Sequence, residues 1–293
     1  MKLLFIIQCH QLSTSLIYTV NKLCADQNVE VYIHVDKKVD ISDFENMFSY
    51  ENVNFINNRV EVNWGSVSQI QATLNLFEAT MHVEYDYLSF LSGDDIFYND
   101  INSFRNFLRN KSGNEFIGVQ RCNDKSFSKR YEISHSNIFF NRNMNLFFRF
   151  YKRFYYFLAR FGLFKNKKNS VERFYFKGSN WFTLSSHSVN YILSFLSNEP
   201  EYLIFFENSY CCDEVFFQTI LMNSNFRQRI YLIDELYCND NDMSLRVIDW
   251  TSGPDFPKKF TENELEVKLP LDKFFLRKIA SSVTIDFLKN RFG

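Results

Sequence analysis

The sequence predicts an α/β protein in which helices flank one mostly parallel sheet, built as a single unit. Three observations lead there. Strand-like and helix-like segments alternate through the first hundred residues. Polar residues recur immediately after the predicted strands, as they do at the ligand edge of open α/β sheets. The 293 residues are enough for one large α/β domain or two small ones, and neither a repeat nor a low-complexity linker divides them. The apolar share of 46%, the charged share of 23%, and only 8 Gly and 4 Pro exclude disorder, collagen and coiled coil. Lys+Arg 33 against Asp+Glu 34 leaves no global field to attract nucleic acid. The outlier is an aromatic share of 18%, mostly 35 Phe.

The elements follow in order. Leu3–Gln8 is a continuous apolar run, suited to a strand covered on both faces. It reads as a first strand rather than a signal peptide, because the run stops at Gln8-Cys9-His10. Residues 13–26 place Leu16, Val20 and Leu23 at helical spacing, with Ser13 or Ser15 as cap. Val29–Val35 and Val53–Ile56 are strands. Ser66 opens a helix whose stripe is Val67, Ile70, Leu74, Phe77 and Met81. Tyr87–Leu91 is a strand that ends at Ser92-Gly93-Asp94-Asp95. His10, Asp36 and Asp94-Asp95 therefore gather along one rim. Further on, Gly178 to Leu184 turns into a strand, residues 186–197 form a helix, and Cys212-Asp213-Glu214 precedes another over Val215–Met222.

Between Arg142 and Lys177 stand ten Lys/Arg and one acid, Glu172, interleaved with Phe, Tyr and Leu. Two accounts stay open here: a surface insertion packed on the domain, or a basic-aromatic surface resting on anionic lipid. No apolar run approaches the roughly 20 residues that span a bilayer. The six cysteines, Cys9, Cys24, Cys122, Cys211, Cys212 and Cys238, show no CxxC pair, and free thiols in a reducing cytosol are expected.

Nucleotide-binding glycine loops, the serine-hydrolase elbow and zinc spacings are all absent from the sequence. Asp213-Glu214 is the most suggestive acidic pair. Asp213 suits an N-cap, and Glu214 then stands at the first helical position, where a fixed carboxylate can act as a general base or simply help cap the helix. Asp94-Asp95, on a glycine turn, can hold a divalent cation, bond a sugar or cap the next turn. Lys258, Lys259, Arg277 and Lys278 form either a solvated face or a clamp for a diphosphate.

Seven short pieces occur together in order: His34-Val35-Asp36-Lys37-Lys38; Val62-Asn63-Trp64-Gly65-Ser66-Val67, with Ala72 behind it; Leu91-Ser92-Gly93-Asp94-Asp95; Gly178-Ser179-Asn180-Trp181-Phe182; Asp213-Glu214-Val215-Phe216-Phe217-Gln218-Thr219-Ile220; Leu245-Arg246-Val247-Ile248-Asp249-Trp250; and Phe275-Leu276-Arg277-Lys278. On these pieces, from residue 34 to 278, the chain resembles the core-2/I-branching β-1,6-N-acetylglucosaminyltransferase family, which includes peptide O-xylosyltransferases.

The resemblance implies a GT-A-like, Rossmann-type fold and inverting transfer from a UDP-sugar to an acceptor hydroxyl. It implies no cofactor and no metal, with basic side chains neutralising the departing diphosphate. It assigns Glu214 as the base. The nucleotide and diphosphate fall to Asp36, His10, Lys258, Lys259, Arg277 and Lys278. The sugar and acceptor fall to Trp64, Asp94, Asp95, Ser179, Asn180, Trp181 and Arg246. Residues 1–135 become a nucleotide-sugar half, 136–177 a basic-aromatic insertion, and 178–293 an acceptor and catalytic half ending in the diphosphate-binding segment. UDP-GlcNAc is the favoured donor, with xylose, galactose and glucose open. The acceptor is a glycan or a lipid-linked oligosaccharide, and nucleic acid is not a partner. Animal members carry a membrane anchor, a stem and disulfides, so this chain resembles the bacterial branch. That branch is expected in the cytoplasm, peripheral on the inner membrane, building surface polysaccharide. A catalytically silent carbohydrate- or nucleotide-binding module and a peripheral membrane scaffold are the competing readings.

Overall fold

The computed structural model describes residues 1–120, 125–140, 146–166, 174–235, 239–254 and 256–293. Cys122, Cys238, Arg142 and the rest of 141–145 and 167–173 lie outside them.

The first half winds as β1 (Leu3–Cys9), α1 (Thr14–Cys24), β2 (Val29–Val35), α2 (Ser42–Met47), β3 (Val53–Phe55), α3 (Ser68–Ala79), β4 (Tyr87–Ser92), β5 (Ile96–Phe97), α4 (Ile101–Asn110) and β6 (Phe116–Ile117). Then come α5 (Lys129–Glu132), α6 (Leu146–Ala159), β7 (Phe182–Ser185), α7 (Ser186–Asn198), α8 (Glu201–Phe206) and α9 (Asp213–Met222). The chain closes with α10 (Asp240–Met243), β8 (Arg246–Ile248), α11 (Glu262–Leu265), β9 (Phe275–Arg277) and α12 (Ile285–Phe292).

The main sheet has the order β3-β2-β1-β4-β7-β6, and the predicted βαβ units supply its parallel part. Residues alternate across it. Leu4, Ile6, Leu88 and Phe90 pack with α3, α7 and α9 on one face, while Leu3, Phe5, Ile7 and Val31 pack with α1 and α4 on the other. Phenylalanine fills both layers, for example Phe77–Phe217 at 5.8 Å and Phe5–Phe97 at 5.9 Å between ring centroids. A second sheet, β5-β9-β8, packs with α12 in a smaller core of its own.

Several expectations hold locally. Ser13 caps α1, its Oγ accepting from the Leu16 amide at 3.1 Å. Cys9, Cys24, Cys211 and Cys212 are free thiols. The main sheet is mostly parallel as expected, with β7 antiparallel to both its neighbours, β4 and β6. Other expectations are corrected. Met81 is 68% exposed rather than part of the α3 stripe. The helix ends at Ala79, and Thr80 Oγ1 turns back to the Leu76 carbonyl at 3.0 Å. Asp213 is the first helical residue of α9; the cap position belongs to Cys212, whose side chain makes no capping bond.

Candidate active site

The register of the sheet assembles the rim. Cys9 pairs with Val35 and Gln8 with Ser92, so the residues that follow β1, β2 and β4 emerge at one edge. Because β7 is antiparallel, the residues before it, Ser179-Asn180-Trp181, arrive at that same edge. Those after β6 do as well. Gly118 and Gly178 touch backbone to backbone there: a Cβ on Gly178 would stand 1.7 Å from the Gly118 carbonyl oxygen. The Gly178 segment is also stitched to α9, by Phe176 N–H to Thr219 Oγ1 at 3.1 Å, Gly178 N–H to the Glu214 carbonyl at 2.9 Å and Gln218 Nε2 to the Ser179 carbonyl at 2.6 Å.

Glu214 stands in the first turn of α9, a third exposed, with one carboxylate oxygen 2.5 Å from Arg130 Nη1 and 3.6 Å from Lys177 Nζ. Arg130 also donates to the Cys211 carbonyl at 3.2 Å. The neighbouring Asp213 is buried and accepts from Asn180 Nδ2 at 2.9 Å. Burial, and then the charge of Glu214, push the Asp213 carboxyl well above the usual carboxylate range, while Arg130 opposes the shift.

On the far side of Asn180, Trp181 meets the C-terminal cations. The Arg277 guanidinium lies 4.1 Å from the Trp181 ring centroid and 3.2 Å from Asp95 Oδ1. The pairing of Ile96 with Leu276 explains this contact, since it sets Asp95 opposite Arg277. Lys278 Nζ is 2.7 Å from Asp94 Oδ2. Asp95 is 1% exposed, and its other oxygen accepts from the Ser92 amide at 2.6 Å.

The remaining expected residues divide. Asp36 is buried after β2, accepting from the Lys38 and Val62 amides at 3.0 and 3.3 Å, with Lys38 Nζ 3.5 Å away. His10 is exposed just after β1 on the same rim. Trp64 is half exposed and meets Tyr210 edge to face, with 5.8 Å between ring centroids. Gly65 beside it, at φ +75°, occupies the left-handed region that favours glycine, and its carbonyl receives the Cys211 amide at 2.6 Å. Ser179 is buried, and its hydroxyl has no hydrogen-bond partner among the described residues. Lys258 shares the edge with Lys278 through backbone bonds, but its ammonium is held by Glu264 at 2.6 Å; Lys259 is exposed.

Arg246 departs from expectation. It is 2% exposed, 4.6 Å from the Phe275 ring and 5.7 Å from Trp181, and it donates to the Ser244 carbonyl at 2.8 Å and the Phe90 carbonyl at 2.5 Å. Burial is the main influence lowering its pKa from the guanidinium value, with Arg277 adding to it and Asp95 opposing. It lies beneath Trp181 and supports the rim instead of reaching an acceptor.

Among the described residues, no three His, Cys, Asp or Glu converge as metal ligands. No helix among them is long and apolar enough to cross a membrane.

Residues 20–270 match the Core-2/I-Branching enzyme family. The chain belongs to that family. The members of that family are glycosyltransferases. No curated protein matches the chain. Among solved structures, TarS of S. aureus is 14% identical, with a TM-score of 0.28, over 41% of this chain and 21% of that one. The glycosyltransferase GlyE of Streptococcus pneumoniae TIGR4, in its apo form, is 11% identical, with a TM-score of 0.31, over 78% and 43%. A cytidylyltransferase from Leptospira borgpetersenii is 20% identical, with a TM-score of 0.27, over 40% and 53%. The chain therefore spans about half or less of each of these three proteins.

In the folded chain, Arg130 and Tyr210 stand at the site without having been singled out in the sequence. Lys177 was visible only as one cation of the basic stretch. No spacing points to Arg130, which reaches Glu214 from 84 residues away.

Proposed function

We propose that the protein is an inverting, metal-independent β-glycosyltransferase of bacterial surface polysaccharide synthesis. It moves a sugar, GlcNAc first among the candidates, from a UDP-sugar to a hydroxyl of a glycan or lipid-linked oligosaccharide. It works in the cytoplasm, peripheral on the inner membrane where lipid-linked acceptors lie. The observation that carries the reading is the Asn180-Trp181 pair. Asn180 bonds Asp213, beside Glu214, and Trp181 stacks on Arg277, so a carboxylate and a cation pair flank two consecutive residues.

The chemistry follows from that placement. The acceptor oxygen attacks the anomeric carbon opposite the nucleotide. A new C–O bond forms, and the bond from that carbon to the diphosphate oxygen breaks. The hydroxyl proton passes to Glu214, and the electron pair of the breaking bond stays on the diphosphate, against Arg277 and Lys278. Inversion needs only this one carboxylate, whereas hydrolysis of a glycosidic bond needs two. Metal independence is supported by the two cations at this edge, Arg277 and Lys278, which can themselves take up the diphosphate charge. Asp36, with Lys38 and the Val62 amide, suits the uracil end, and Trp64 suits the flat face of a sugar.

The test is Glu214→Gln with a panel of UDP-sugars, reading transfer by mass spectrometry and UDP affinity by calorimetry. Transfer is expected to fall by about 10²–10⁴-fold with UDP affinity retained. Turnover near that of the natural sequence overturns the assignment of the base. Loss of activity to EDTA, restored by Mn²⁺, overturns metal independence. No turnover of any donor by the natural sequence favours a silent binding module.

A further inference from the structure

Helix α6 leaves a long apolar face uncovered by any described residue. Phe147, Phe150, Phe154 and Phe157 recur at steps of three and four residues, which lines them up along one side of the helix; Phe161 follows in the turn after it, and each is more than half exposed. Arg149 and Arg153, also exposed, form a second row beside the first, and the exposed Arg160 continues it at the helix end, where its N–H still bonds the Tyr156 carbonyl. From residue 146 to 166 the chain has five Lys/Arg and no acid. The opposite face of α6 is spent on the protein: Tyr155 packs on Phe139 at 4.8 Å between ring centroids, and the Tyr156 hydroxyl meets His135 Nε2 at 3.3 Å. Lys152 sits 5.3 Å from the Tyr210 ring centroid.

We infer that this face of α6 is a docking surface for an anionic membrane. The helix is too short to span a bilayer, so it lies in the interface plane. The phenylalanine row enters the acyl boundary while the arginine row meets lipid phosphates. The absence of acids on the helix is the charge complementarity that selects such a surface over a neutral partner. Tyr210, under Lys152 on the inward face of α6, meets Trp64, so the docked helix is joined to the Trp64 part of the site through one ring. The inference adds the attachment surface to the peripheral placement proposed above, but it does not depend on the transfer chemistry.

The test uses the full chain and co-sedimentation with vesicles of phosphatidylcholine, with and without phosphatidylglycerol, at low salt. The protein is expected to sediment with the anionic vesicles and to stay in solution with the neutral ones. Arg149→Gln/Arg153→Gln/Arg160→Gln is expected to weaken partition by about fivefold per arginine, on the order of a hundredfold in total. Phe150→Ser/Phe157→Ser is expected to abolish it with unchanged melting and unchanged transfer to a short water-soluble acceptor. The inference is overturned if the natural sequence fails to sediment. It is also overturned if both variants, shown to be folded, partition as the natural sequence does, or if light scattering reveals a dimer that the phenylalanine variant dissolves. Sedimentation without any transferase activity would refute the catalytic reading and leave the docking surface standing.

Discussion

The Arg277 guanidinium rests 4.1 Å from the centre of the Trp181 ring, with Asp95 3.2 Å away. One side chain is thus oriented by an aromatic face and a buried carboxylate together. A lysine there keeps the charge but loses the planar stack and the fork. Arg277→Lys is expected to weaken UDP binding about tenfold, through the loss of ~1–2 kcal/mol of stacking and bidentate bonding. Calorimetric titration with UDP checks this, and unchanged affinity means that Arg277 only packs.

Arg130 holds Glu214 at 2.5 Å and the Cys211 carbonyl at 3.2 Å, fixing the carboxylate relative to the turn before α9. Arg130→Gln is expected to lower kcat by roughly ten- to a hundredfold through misplacement, with UDP affinity intact. Arg130→Lys should recover part of the loss. Steady-state kinetics beside UDP titration separate this from general unfolding, which would reduce both.

The Gly118–Gly178 contact admits no side chain. Gly178→Ala brings a methyl group within 1.7 Å of a carbonyl oxygen and is expected to destabilise by about 3 kcal/mol or more. Chemical denaturation measures it. A variant as stable as the natural protein would mean that the two segments separate readily, along with Ser179 to Trp181.

His34 and His135 are buried, and burial is the chief cause that lowers both imidazoles to about 4 from an ordinary value near 6.5. His34 Nε2 accepts the Val60 amide at 3.0 Å, which requires the unprotonated nitrogen. The unfolded chain binds these protons first, so this stability is complete above pH 6.5 and drains away as the pH falls toward 4. Within that window the slope should reach up to ~1.4 kcal/mol per pH unit for each histidine. Urea denaturation at stepped pH checks it, and His34→Asn/His135→Asn should flatten the curve. An unchanged slope in that variant assigns the effect to other groups.

The parts of the molecule that announced themselves in the sequence are those set by local pattern. The runs Leu3–Gln8 and Val29–Val35 sit where strands form because both faces of the sheet are covered. Asp36 and Asp94-Asp95 follow strand ends, so the parallel register carries them to one rim without further information. What stayed hidden depends on distant partners. The direction of β7 is set by its connection rather than by its four residues. Arg246 reads as a sugar or acceptor contact until the second sheet closes over it. Arg130 sits on a four-residue helix with no periodicity, and its value lies entirely in the carboxylate it finds. The exposure of the α6 phenylalanines likewise needed the fold, because a sequence aromatic nearly all round does not say which side is inward.

The pairing of Lys278 with Asp94 and of Arg277 with Asp95 means that a nucleotide reaching this edge meets charges already satisfied by the protein. Its capture is then an exchange of anions, in which phosphate oxygens displace carboxylates. Part of the gain from each new bond is spent on breaking an old one. On the proposed reaction the same carboxylates stand ready to reclaim their partners once the sugar has left, which shortens the residence of the spent nucleotide and favours the next turnover where exit limits the rate.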